Sequence, residues 1–143
     1  MYDARCYSRK CDDQSAGDLM RVYKTKPFAR FADHEGIHDD ALCEAIQRAE
    51  TGLVDADLGG GVIKQRIARK GQGKSGGFRG IVLFRHGERS FFVYGFAKNN
   101  RDNIRRDELK AFRALASEML QLDKAALKAA MANGTIMEVI CDV

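Results

Sequence analysis

Lys64 and Arg66 stand two residues apart in the run Val62-Ile63-Lys64-Gln65-Arg66-Ile67. On a β-strand that spacing puts both cations on one face and Ile63, Gln65 and Ile67 on the other. Arg69, Lys74 and Arg79 follow around a Gly-rich loop, and Lys98 closes a later apolar run. Converging Lys and Arg side chains attract phosphate and can offset the charge that develops on a phosphorane. A Lys crowded by other cations can also serve as a base, because its neighbours disfavour its charged form.

The charge is strongly localised. Residues 62–106 hold twelve Lys and Arg against two acids, Glu88 and Asp102, whereas the chain as a whole carries only +4. Residues 1–61 sum to −4 and residues 107–143 to −2. A basic segment in a mildly acidic frame points to a polyanionic partner. The competing reading is a solvated sheet edge on which Lys discourages aggregation. The near absence of carboxylates from the segment favours the polyanion site.

Other chemistries fit less well. Gly71-Gln72-Gly73-Lys74-Ser75 lacks the spacing of a nucleotide-binding P-loop, and a strand-like segment follows it where a helix is required. No Ser/His/Asp or Cys/His set is apparent, and His86 sits in a turn with no evident acid partner. His34 and His38 are four apart but have no third ligand, so no metal site is expected. The aromatic run Phe91-Phe92-Val93-Tyr94-Gly95-Phe96 suits either core packing or base stacking. Simple alternation groups Phe92, Tyr94 and Phe96 on one face, with Phe91 and Val93 on the other.

At 143 residues and 45% apolar content, the chain suits a single domain with a substantial core. No run of 18 apolar residues predicts a membrane-spanning helix, and no apolar stretch at the N-terminus predicts a signal peptide. The expected location is the cytoplasm. Cys6, Cys11, Cys43 and Cys141 are scattered and are expected to be reduced thiols. Residues 1–19 show no periodicity and read as an extension outside a domain spanning 20–143.

The elements that must position the cations follow from periodicity. Met20–Lys26 is strand-like, Pro27 opens a short helix, and Gly36 ends it. Asp39 or Asp40 is expected to cap a helix carrying Leu42, Ala45, Ile46 and Ala49, which stops at Gly52. Residues 55–61 read as a turn and Gly-rich approach. Three strands, about Val62–Ala68, Phe78–Arg85 and Ser90–Lys98, should form an antiparallel meander. A long helix from about Ile104 carries Leu109, Phe112, Leu115, Ala116, Met119 and Leu120. Asp123 caps another, ended by Asn133-Gly134, and Thr135–Ile140 is a candidate last strand. The predicted class is α+β: a small, mainly antiparallel sheet with helices on one face.

The segments Met20-Arg21-Val22-Tyr23-Lys24-Thr25-Lys26, Ile63 through Arg79, and Phe91 through Asn99 together resemble RelE-type toxins of the RelE/ParE superfamily, nearest a HigB-like branch. The resemblance spans about 20–140. It implies the toxin half of a type II toxin–antitoxin module, acting as a ribosome-dependent mRNA endoribonuclease without metal or cofactor. On the matching motif positions it implies catalytic roles for Lys64, Arg66, Arg79 and Lys98. It also implies RNA contacts for Arg69, Lys74, Tyr94 and Asn99. The C-terminal aromatic found in many such toxins has no Tyr counterpart after Lys98, and Tyr94 is the substitute at hand. The implied partners are a cognate antitoxin, expected to be a helix-turn-helix protein, the ribosome and mRNA. Two rivals are a ParE-like non-enzymatic gyrase inhibitor and a non-catalytic RNA-binding module. Arg79 and Lys98 are both expected at solvated strand ends.

Overall fold

The computed structural model describes residues 20–68, 77–98, 101 and 103–141. Arg69, Lys74, Asn99 and the segment 1–19 lie outside the described residues. The elements are β1 (Arg21–Thr25), α1 (Lys26–Glu35), α2 (Asp39–Glu50), β2 (Ala56–Gly59), β3 (Val62–Ile67), β4 (Phe78–Arg85), β5 (Arg89–Ala97), α3 (Arg106–Met119), α4 (Lys124–Ala132) and β6 (Ile136–Val139). They form an α+β fold on one six-stranded sheet of order β2-β3-β4-β5-β1-β6. The meander β3-β4-β5 is antiparallel, as its short connections require. β1 inserts between β5 and β6, parallel to the first and antiparallel to the second.

Local signals account for most boundaries. Thr25 caps α1 by accepting the Phe28 N–H at 3.4 Å, with Pro27 in the first turn and Gly36 in the left-handed conformation at the end. Asp123 caps α4 through the Ala126 N–H at 2.8 Å. The N-cap of α2 is His38 and not an aspartate. Asp39 and Asp40 lie in the first helical turn, where their charge suits the helix dipole and Asp39 pairs with Lys24 at 3.0 Å.

Helices cover both faces of the sheet, not one. α1 and α2 pack on a core containing Ile63, Ile67, Phe78, Val82 and Phe92. α3 and α4 pack on a second containing Val62, Ile81, Leu83, Phe91, Val93 and Phe96. The reason is visible in β4, where six consecutive residues, Phe78 to Leu83, are buried. A strand buried on both sides needs cover on both sides.

A β-bulge in β5 revises the alternation expected for the aromatic run. Ile81 pairs with Tyr94 but Val82 pairs with Phe92, so Val93 is the extra residue. The shift turns Tyr94 and Phe96 toward the α3 side with Phe91 and Val93, and leaves Phe92 alone among these rings on the α1 side. At Gly95 a Cβ would come within 2.3 Å of the Phe31 ring, so only glycine lets α1 approach here.

Residues 55–61 are more than a turn. β2 pairs with β3, placing Ala56 opposite Lys64 and Asp57 opposite Ile63. Gly59, Gly60 and Gly61 all take positive φ in the connection, a conformation that L side chains rarely adopt. The turn is held from above by Arg113 of α3, whose Nε donates to the Leu58 carbonyl at 3.1 Å. Cys43 of α2 and Cys141 beyond β6 form a disulfide, where reduced thiols were expected. Their Cα atoms lie 5.6 Å apart, within bridging range, although 98 residues separate them in the chain. Only the fold brings them together.

Candidate functional site

β3 presents Lys64 and Arg66 on the face that α3 covers farther along, and pairs Arg66 directly with Arg79 of β4. Arg79 in turn pairs with Phe96 of β5. Lys98 follows β5 at the same end of the sheet, its N–H donating to the Gly77 carbonyl at 3.4 Å. Cross-strand register thus gathers three cations on one face at one end of the central strands, with an exposed fourth beside them.

The cations are not equivalent. Arg79 was expected in solvent, yet its side chain is only 9% exposed, and it reaches Asp55 with Nε 3.3 Å from Oδ2. Its Nη1 donates to the Phe78 carbonyl at 3.3 Å. A buried guanidinium needs these partners, because burial without them carries a large desolvation cost. Lys64 is 15% exposed at its side chain and lies 3.9 Å from the same Asp55 oxygen. Arg66 and Lys98 make no ion pair among the described residues. Their charge is available to a ligand.

Asp55 is the residue that sequence reasoning missed. It belongs to the acidic frame, outside the 62–106 segment, and the β2–β3 hairpin folds it back onto the cations. The triple glycine at 59–61 was the available signal, since a tight hairpin there sets the residues before β2 against Lys64 and Gln65. Gln65 fixes the position from the opposite face. It is 1% exposed, its Oε1 accepts the Asp55 N–H at 3.0 Å, and its Nε2 donates to the carbonyls of Ala45 at 2.8 Å and Leu53 at 3.0 Å. Arg48 of α2 also donates to the Arg66 carbonyl. α2 therefore sets the backbone under the site.

A second polar cluster borders the first. Tyr94 packs against Phe96 and Phe112 at ring-centroid distances of 5.9 Å each. Arg101 lies over the Tyr94 and Phe96 rings at 5.7 Å and donates from Nη1 to the Tyr94 hydroxyl at 2.8 Å. Its guanidinium also grips Glu108 of α3 through two contacts, 2.7 and 3.3 Å. Glu108 accepts the Arg105 N–H at 2.7 Å as well, which caps the helix. The Arg101 hydrogen bonds first, and then the Arg105 N–H, hold the Glu108 carboxyl down at about 2. Tyr94 is half-buried, and its hydroxyl is committed to Arg101. Phe91 and Phe92 are core residues with no exposure and offer no stacking surface.

His86 does meet an acid, contrary to expectation: its Nε2 is 3.9 Å from Glu50 Oε1 and 3.1 Å from the Glu50 carbonyl. This contact is at the β4–β5 hairpin, the opposite end of the sheet from the cations. Among the described residues no helix is long and apolar enough to cross a membrane.

The arrangement could seat an anion: cations on one sheet face, partly withdrawn from solvent, with Phe96 beside Arg79 in the sheet register. The comparison with curated proteins finds no match. Residues 20–139 match the family described as "RelE toxin of RelE / RelB toxin-antitoxin system", a span that includes every strand and helix above. The chain belongs to the RelE toxin family of toxin–antitoxin systems.

Proposed function

We propose that the protein is an mRNA endoribonuclease that arrests translation by cutting mRNA on the ribosome. The observation that carries this reading is the convergence of Lys64, Arg66 and Arg79 on one sheet face, with Lys98 at the same end. A protein that acted only by docking on another protein would need no such convergence.

In this reading the 2′-oxygen of a nucleotide attacks its own 3′-phosphorus. The bond from phosphorus to the 5′-oxygen breaks, leaving a 2′,3′-cyclic phosphate and a 5′-hydroxyl. Lys64 activates the 2′-hydroxyl and Arg66 orients it, the hydroxyl proton passing to water. Arg79 offsets the charge building on the phosphorane, and Lys98 gives a proton to the departing 5′-oxygen. Exchange with water restores Lys98. Arg69, Lys74 and Asn99 contribute phosphate contacts that hold the mRNA, and Tyr94 borders the path of the bases.

Membership of the family implies an antitoxin partner. We assign it two tasks: to neutralise the exposed cations, and to cover the apolar groove of about 410 Å³ between the start of α1 and α3, lined by Pro27, Val93, Phe112, Leu115 and Met119. A helix-turn-helix antitoxin encoded beside the toxin fits the reading.

The test is cleavage on translating ribosomes, with end-group analysis of the products. Wild type should yield 2′,3′-cyclic phosphate ends, and Lys64→Ala and Arg79→Ala should not. Intact mRNA in the presence of folded, growth-arresting protein would reject the reading, and inhibition of gyrase by that protein would replace it with the ParE-like one.

A further inference from the structure

The anion seat already holds an anion. A single carboxylate oxygen, Asp55 Oδ2, lies against both the Arg79 guanidinium and the Lys64 ammonium, at 3.3 and 3.9 Å. A phosphate oxygen that met both groups would have to compete with this carboxylate oxygen for them. The placement is constructed, not incidental. The fully buried Gln65 devotes its whole amide to the 53–55 segment and to α2, and the three positive-φ glycines return the chain onto β3. Asp55 is itself 32% exposed at the side chain, so it lies at the solvent side of the pair it joins.

We infer that Asp55 is an internal counterion that holds Lys64 and Arg79 in phosphate-receiving geometry and competes with RNA for them. This rests on the reading that the ligand is RNA. Lys64, Arg66 and Arg79 carry +3, and Asp55 reduces the seat to +2. An isolated phosphate gains little by entering, because it meets the carboxylate at the same two cations. RNA laid along the sheet end gains Arg66 and Lys98 as well, which no described acid neutralises. Asp55 is therefore a positioning and specificity-determining residue. It suppresses non-specific polyanion binding and keeps the buried guanidinium aligned until the correct strand arrives.

The chemistry predicts a split that a structural role would not produce. Asp55→Asn keeps the side-chain shape and an oxygen acceptor. The backbone N–H bond to Gln65 is unchanged, so the segment stays fastened. Binding of a non-cleavable 2′-O-methyl oligoribonucleotide should tighten by about three- to tenfold at low salt, as expected for removing one close like charge at a partly exposed site. The dependence on salt should steepen by up to about 0.7 in logarithmic slope, one additional phosphate being neutralised. On ribosomes KM should fall while kcat falls or stays level, and Asp55→Glu should bring affinity back toward wild type. Asp55→Ser, smaller and uncharged, should tighten binding in the same direction and serves if the asparagine variant is poorly folded. Unchanged or weaker oligonucleotide binding by either neutral variant, with melting like wild type, would overturn the inference. The binding assay needs no cleavage. Tighter binding by the neutral variants of a protein that never cuts mRNA supports the counterion and sinks only the nuclease reading. Cleavage by wild type without the affinity gain sinks only the counterion.

Discussion

Two arginine–carboxylate pairs lie near Phe96, one through cross-strand register and one through contact with its ring, and are built differently. Arg101 and Glu108 meet through two contacts, 2.7 and 3.3 Å, and Glu108 is further bound by a helix N–H. Arg79 and Asp55 meet through one carboxylate oxygen at 3.3 Å, which Lys64 shares at 3.9 Å. The first pair joins the end of the meander to α3 and uses the carboxylate fully. The second leaves its carboxylate loosely held while fixing the backbone beneath it through Gln65. A bidentate pair is suited to fastening elements, whereas a single-point pair can yield to a competing anion. The comparison separates a clamp from a seat by geometry alone.

Removing the seat's guanidinium tests the contrast most sharply. Arg79→Ala should lower cleavage by about 10²–10³-fold, the effect of deleting one preorganised charge-stabilising donor. Because Arg79 is buried, it should also destabilise the fold by about 1–3 kcal/mol, unlike a surface substitution. Single-turnover cleavage and urea melts measure both. A cleavage loss explained wholly by unfolding would reduce Arg79 to a structural residue.

Lys98 separates the two effects. It is exposed, so Lys98→Ala should change stability by no more than about 0.5 kcal/mol. Cleavage should fall by about a hundredfold if Lys98 protonates the leaving oxygen. Full activity would place the acid elsewhere.

The clamp should behave in the opposite way. The Glu108 carboxyl sits at about 2, below its ordinary 4.5. Its pairing therefore stabilises the fold fully above about pH 4.5, and that contribution is lost as pH falls toward 2. Glu108→Gln should cost about 1 kcal/mol or less at neutral pH, since both partners are partly exposed, and should flatten the acid limb of stability between those values. Thermal melts from pH 2 to 7 check this, and cleavage by the variant should stay within about threefold of wild type. A large cleavage loss would make the clamp part of the site.

The smallest effect expected is none. If the cations supply the electrostatic stabilisation, excess chelator should leave cleavage intact in a buffer that preserves ribosomes. Loss with chelator and recovery with a divalent ion, on intact ribosomes, would replace the Lys/Arg mechanism.

Much of this architecture was legible from local pattern. The alternation of Val62 to Ile67 placed Lys64 and Arg66 together and opposite Gln65, as observed, because strand side chains alternate irrespective of context. Pro27, Gly36, Asp123 and Asn133-Gly134 marked helix ends for reasons confined to a few bonds. The aromatic run was misassigned because one bulged residue, Val93, reverses the faces after it, and a bulge is decided by the partner strand. The burial of Arg79 was missed for a related reason. Its counterion comes from 24 positions upstream, across a hairpin read as a loop.

The sequence by itself determined the class of the fold, the order of its elements apart from β2, the basic character of the meander and the family, since these follow from periodicity, composition and ordered motifs along the chain. Tertiary structure alone decided which charges are opposed. It set Asp55 between Lys64 and Arg79, closed Arg101 on Glu108 and Tyr94, joined Cys43 to Cys141, and divided the helices between two faces. The physical reason is range. Backbone preference and alternation act over a few residues, whereas ion pairing and burial depend on through-space distance, which the chain sets only once it has folded.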